Sequence, residues 1–308
     1  MVQENEEKRI LWNDEGDKMK IRNDTLQRLL RVTQREQTVA GKAQKQVHST
    51  MLRLHEDGWV VTTNLVRDGV SSLSLFSALS ESNPEGPMDY PVPDIDLLLG
   101  VLKQHGEIVT LIHEDSKLRI RSGNTTDGYL KKSTTIPASK QAKAHLNSTH
   151  TVEEWFQKSL ARHGQIKNGG YYMNPPYDEL RKPFCRLVAN SNDLFEACRC
   201  DTINNQKLNR YLFTMNVGSG LQITVGNELK GRTTTMIESQ GGTTWFGAEA
   251  PKAENFDVTL EGGLENVFSH YPSSEVTLDF FDFRPEGQGI RILFAIAGDY
   301  VLQAGLLI

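Results

Sequence analysis

Along the chain the spacing of apolar residues switches repeatedly between a period of two and a period of about 3.6, the marks of half-buried strands and amphipathic helices. After a charged opening stretch, MKIRN reads as a short strand, and Asp24 onward toward Lys42 reads as a helix with Asn23 or Asp24 as its N-cap. STMLRLHEDGWVVTTNLV and SSLSLFSAL follow as a strand meander, broken at the turn pairs Asp57-Gly58 and Asp68-Gly69. MDYPVPDIDLLLGVLKQHG predicts a strand running into a short helix, and EIVTLIHEDSKLRIRSG a hairpin.

The second half repeats this order. FCRLVANSNDLFEACRC reads as strand, polar cap and helix, like MKIRNDTLQRLLRV. RYLFTMNV, LQITVGNEL and TTTMIES read as strands, FDVTLEGGLENVFSHYP as strand then helix, and EVTLDFF with IRILFAIAGDYVLQAG as closing strands. Leu26 to Leu97 and Leu194 to Leu264 each span about 70 residues. A duplicated α+β unit accounts for both order and spacing.

Composition narrows the classes. The 308 residues are 38% hydrophobic, enough for packed cores, and carry a net charge of -5. That balance excludes a surface that coats nucleic acid everywhere, but leaves room for a local basic face. No apolar run reaches the roughly 18 residues of a membrane span, and the charged start is unlike a signal peptide, so an intracellular protein is expected. Cys185, Cys198 and Cys200 form neither an even disulfide framework nor a CxxC pair; buried reduced thiols are expected, with no metal and no cofactor.

One motif invites an enzymatic reading. Asn174-Pro175-Pro176-Tyr177 resembles the loop with which amino-group DNA methyltransferases grip an extruded base. Such an enzyme needs a glycine-rich turn between a strand and a helix to hold its cofactor. Gly218-Ser219-Gly220 is the one glycine cluster that could serve, and it lies between two strand patterns, as a hairpin turn does. The tetrapeptide then reads as a proline-stiffened loop between the halves.

The order of elements, clearest in FDVTLEGGLENVFSHYPSSEVTLDFF and GIRILFAIAGDYVLQAG, resembles the sliding DNA clamps of the proliferating cell nuclear antigen type. The resemblance implies clamp domains at 19–135 and 181–308, with an N-terminal tail at 1–18 and a long connector at 136–180. It further implies antiparallel sheets outside, helices lining a hole, and three two-domain chains closed into a homotrimeric ring. That ring would encircle double-stranded DNA without sequence preference and tether a DNA polymerase, loaded by a clamp loader. No catalysis is implied. A clamp-like accessory subunit that binds DNA as a monomer or within a heteromeric ring is the alternative.

On the first predicted helix, at 100° per residue, Arg28, Arg31, Arg35 and Lys42 fall within about 60° of one another, opposite Leu26, Leu29 and Leu30. A basic stripe opposite an apolar one suits a helix held between a core and phosphates. The other lining helices offer less: Lys103 and His105 on the second, Arg199 with Lys207 and Arg210 on or after the third, and His270 on the fourth. The first half is therefore expected to carry more of the DNA contact. For partner peptide motifs the resemblance implies an apolar outer pocket at Val276, Thr277, Leu302, Gln303, Ala304 and Gly305, covered by Ile136 and Pro137 from the connector. A connector helix at Thr151 to Arg162, with Trp155, Phe156 and Leu160 on its apolar face, is either a second docking surface or a cover for an apolar patch. Ring closure is expected to pair a strand edge near Ile112 to Arg121 with one near Met215 to Val225 of a neighbour.

Overall fold

The computed structural model describes residues 17–34, 36–39, 42–45, 50–54, 58–65, 72–82, 84–86, 88–114, 116–123 and 131–138. Beyond these it describes 171–172, 180–181, 183, 185–199, 210–216, 220–227, 231–245, 256–261, 264–271, 275–283, 290–297 and 300–306. Asn174 to Tyr177 and the proposed connector helix, with Trp155 and Phe156, lie outside these residues, as do Arg35, Lys207 and Cys200.

The first half runs β1 (Asp17–Arg22), α1 (Asn23–Thr33), β2 (Glu36–Val39), β3 (Lys42–Lys45), β4 (Thr50–Leu54), β5 (Trp59–Leu65), β6 (Ser72–Leu79) and β7 (Met88–Val92). It closes with α2 (Ile95–Leu102), β8 (Ile108–Glu114), β9 (Lys117–Gly123) and β10 (Lys131–Pro137). Between the halves, β11 (Tyr171–Tyr172) pairs with β12 (Leu180–Arg181). The second half runs β13 (Cys185–Asn190), α3 (Ser191–Arg199), β14 (Arg210–Asn216), β15 (Gly220–Asn227), β16 (Gly231–Ile237) and β17 (Thr244–Trp245). It ends with β18 (Phe256–Glu261), α4 (Leu264–Ser269), β19 (Glu275–Phe283), β20 (Ile290–Ala297) and β21 (Tyr300–Leu306).

The fold class is α+β, with antiparallel ladders and few helices. The duplication extends to the pairing itself. In the first half β1, β8, β9 and β10 form one four-stranded group and β6, β5, β4 and β7 a second; in the second half β13, β19, β20 and β21 match the first group, and β16, β15, β14 and β18 the second. One junction between groups lies inside the chain. There β21 pairs with β6, Leu302 opposite Phe76 and Ala304 opposite Ser74, so a nine-stranded sheet runs through both halves.

Of the expected turn residues Gly58 stands just before β5 with φ 85, whereas Asp57, Gly218 and Ser219 lie outside the described residues. Gly220 opens β15 at φ +86, and a Cβ there would come within 2.8 Å of the Ile237 carbonyl oxygen, so glycine answers both a left-handed backbone and a close approach. The strands on either side of it, β14 and β15, pair antiparallel with each other.

The helices form one layer against the sheets. On α1, Leu26, Leu29 and Leu30 are fully buried, the apolar stripe read from the sequence. The helix stops at Thr33, however, and does not run on to Lys42, which sits on β3. Several interactions end it. Thr33 Oγ1 donates to the Leu29 carbonyl at 2.7 Å and meets Thr62 Oγ1 of β5 at 2.7 Å. From α4, Asn266 Nδ2 donates to the carbonyls of Arg31 at 2.9 Å and Gln34 at 2.8 Å, satisfying acceptors that a further helical turn would otherwise fill. The β-branched Val32 and Thr33 also favour stopping.

Nor is Asn23 an N-cap. Its Nδ2 donates to the carbonyls of Leu102 at 2.9 Å and Gly106 at 2.9 Å, tying the start of α1 to the end of α2. True side-chain caps stand elsewhere. Asp94 accepts from the Leu97 amide at 3.0 Å, and Asn190 from the Asn192 amide at 2.8 Å. With Asn23 joining α1 to α2 and Asn266 joining α4 to α1, the helices are strung across both halves.

Candidate nucleic-acid interface and partner surface

Of the basic stripe expected on α1, the structure keeps Arg28 and Arg31, three residues apart on the outward side. Arg31 is exposed, with its Nη2 donating to Gln27 Oε1 at 3.2 Å; Arg28 is half-buried. Lys42 is removed from the stripe by the early end of the helix. Arg35 lies outside the described residues.

The other helices contribute less positive charge than acid. Lys103 is exposed just past the end of α2, whose first turns carry Asp94 and Asp96. Arg199 ends α3, ion-paired with Glu196 at 3.0 Å and stacked over Phe195, while Asp193 stands one turn earlier. Arg210 opens β14 and belongs to no helix. On α4, Glu265 accepts from the Tyr211 hydroxyl of β14. Among the described residues, then, the cationic face is concentrated on α1.

His105 is the clearest revision on this face. It is buried in the turn after α2, with Nδ1 at 2.8 Å from Ser122 Oγ and Nε2 at 2.9 Å from Thr134 Oγ1, so it knits α2 to β9 and β10 and is not offered to a ligand. Burial, with Lys132 nearby, holds its pKa below the ordinary value. His270 has the opposite placement. It follows α4 half-buried, and its pKa is lowered by burial and by the charges of Arg31 and Arg28, which a hydrogen bond to the Asn266 carbonyl partly opposes. No local pattern marks the fourth helix as the one that brings its histidine to the first helix's arginines. That proximity depends on how the halves pack.

The partner-surface residues fall into two groups. Val276, buried, and Thr277, half-buried, lie on β19; Leu302, Gln303, Ala304 and Gly305 lie on β21, with β20 between them in one sheet. Ile136, buried, and Pro137, exposed, lie on β10 in a different sheet, with no ladder joining them to β19 or β21 among the described residues.

The strand edges also differ from expectation. Ile112 to Arg121 covers β8 and β9, and Met215 to Val225 covers β14 and β15, all interior strands; an interior strand has no unpaired backbone to offer a neighbour. The open edges of these two sheets include β10 and β16. The polar composition of KKSTTIP hides β10 from a search for alternating apolar residues.

Cys185 and Cys198 are buried thiols, and burial with the Asp279 carboxylate pushes the Cys185 thiol up, away from thiolate reactivity. No group of His, Cys, Asp or Glu is arranged to hold a metal ion, and no helix is long and apolar enough to cross a membrane, among the described residues.

No protein-family model matches the chain, and no curated protein matches it in sequence. Solved structures do match. Proliferating Cellular Nuclear Antigen from Entamoeba histolytica aligns at a TM-score of 0.53 and 11% identity, over 94% of this chain and 97% of that one. PCNA2 and PCNA3 from Sulfolobus tokodaii, crystallised as a complex, give a match at 0.50 and 14% identity, over 94% and 98%. The DNA polymerase sliding clamp of Bacillus subtilis aligns at 0.50 and 9% identity over 96% of this chain but 65% of its own. This chain thus spans about two thirds of that bacterial clamp. At these identities the likeness is one of architecture, and it agrees with the duplicated pairing and the single helical layer described above: the chain has the sliding DNA clamp fold, of the PCNA-like type.

Proposed function

We propose that the chain is a non-catalytic sliding clamp, three copies of which close head to tail around double-stranded DNA and tether a DNA polymerase at replicating DNA inside the cell. The observation that carries this reading is the internal junction between β21 and β6. By the repeat, β10 is the counterpart of β21 and β16 that of β6, and both are open in the single chain. A second copy supplies the missing partner for each, with the geometry the chain already uses once.

The repeat also fixes a register. Aligning the strand ladders places Thr134 where Leu302 stands and Thr235 where Phe76 stands, so Thr134 should face Thr235, Thr135 face Thr234, and Ser133 face Met236. Exposure supports it: Ser133 and Thr135 are exposed, as are Met236 and Thr234, whereas Thr134 and Thr235 are both half-buried. A slip of one residue would set exposed positions against half-buried ones. Met236, half exposed in the free chain, gains a cover.

In the closed ring the helical layer faces the DNA, and Arg28 and Arg31 meet phosphates. Polymerase and clamp-loader peptides dock on the outer face around Val276, Thr277 and Leu302 to Gly305. Light scattering at micromolar concentration tests the assembly. Three chain masses are expected. A lone chain that trimerises only with a second, different clamp subunit would instead support a heteromeric ring, and a persistent monomer would remove the clamp reading.

A further inference from the structure

Where α4 meets α1, a short chain of hydrogen bonds prepares one imidazole nitrogen for a ligand. Asn266 holds the end of α1 through its side chain and offers its carbonyl to His270 Nδ1 at 2.8 Å; Ser269 Oγ, itself donating to that carbonyl at 2.8 Å, lies 2.9 Å from the same nitrogen. A carbonyl can only accept, so Nδ1 carries the proton and, in the neutral ring, Nε2 holds a lone pair. Among the described residues Nε2 has no hydrogen-bond partner. The charges acting on this ring are those of Arg28 and Arg31. Other ionisable groups on the elements packed here are engaged: Glu265 with Tyr211 on β14, Glu196 with Arg199 on α3, and Asp96 on α2 with Gln34 Nε2 at 3.0 Å; Asp193 lies in the first turn of α3.

We propose that Arg28, Arg31 and His270 form one phosphate site at the junction of the two halves, and that a phosphodiester group bound there draws a proton onto His270 Nε2. The inference rests on the reading of α1 as the DNA-facing helix. Two guanidinium groups beside a neutral imidazole repel a third positive charge, so in the free protein the ring stays neutral. A phosphate reverses that balance. It neutralises the arginines' field and presents an oxygen acceptor, which a neutral Nε2 cannot donate to and a protonated one can. Binding then takes up a proton, and linkage requires affinity to rise as pH falls, by up to about tenfold per pH unit between the free and bound titration ranges.

The site would differ in kind from a stripe of arginines. Its grip on DNA would respond to pH near neutrality, and it would include a residue from each half of the chain.

The test uses the whole chain with two probes, a short DNA duplex and inorganic tripolyphosphate, at constant ionic strength. Titration of His270 followed by hydrogen exchange at its ring carbon should move upward with both probes. Duplex affinity should strengthen several-fold from pH 7.5 to 6.0 in the wild type, and His270→Gln should flatten that pH dependence. If the imidazole titration does not move with tripolyphosphate, or if His270→Gln keeps the full pH dependence, the site is wrong. If tripolyphosphate moves it but no duplex binds at any pH, the phosphate site stands and the clamp reading falls.

Discussion

Asp279 is fully buried on β19, and both its oxygens accept from Arg186 on β13, at 2.6 and 2.7 Å. The two residues face each other directly across the ladder, 93 positions apart in sequence, which is why no local pattern could announce the pair. Losing the carboxylate takes both of these short hydrogen bonds from the Arg186 guanidinium. Asp279→Ala should destabilise the fold by about 3–5 kcal/mol in denaturant unfolding, whereas Asp89→Ala, which breaks the part-exposed pair with Arg53, should cost about 1 kcal/mol or less. His105 gives a second test at this scale. Its pKa is lowered in the folded chain, so its neutral form stabilises fully above the ordinary value of 6.5, and that stability is lost as pH falls below it toward the folded value. Unfolding midpoints should drop between pH 7.5 and 5.5, and His105→Gln should reduce the drop. From sequence, His105 looked like a helix-face residue because nothing marked the end of α2 at Leu102.

Element boundaries depend on groups far away in the chain, and α1 illustrates this best. Its start, its buried leucines and the strand before it were all legible, because they follow from local periodicity. Its end was not, since the residue that donates to its last carbonyls, Asn266, lies 235 positions downstream of Arg31. Without that tie the carbonyls lose a partner in a partly buried seam. Asn266→Ala should cost about 1–2 kcal/mol and raise amide exchange over the last turn of α1, with β15 and β16 unaffected. Unchanged exchange there would mean Asn266 does not fasten the helix. Likewise β6 and β16 were both legible as strands, but which strands would be left as edges was not, because β10 carries Lys, Ser and Thr where a half-buried strand would alternate.

For the whole molecule, the repeat legible in the order of elements carries the account further than any motif. It extends from strand order to pairing, and from pairing to a junction used once within the chain and left open at its counterpart. DNA binding should follow as a weak, salt-sensitive property of the ring: Arg28→Ala with Arg31→Ala should lower duplex affinity and flatten its salt dependence by about two phosphate contacts, with the fold and assembly intact. The most direct measurement addresses the junction itself. Cysteines placed at Thr135 and Thr234, in a chain whose Cys200 is replaced by serine, are treated with a short bifunctional maleimide and the products sized under denaturing conditions. The account predicts efficient linkage between different chains, ending in a closed species of three chain masses, and little linkage when the second cysteine is placed at Gln222 on the interior strand β15. Monomer alone, or equal linkage from Gln222, would contradict it.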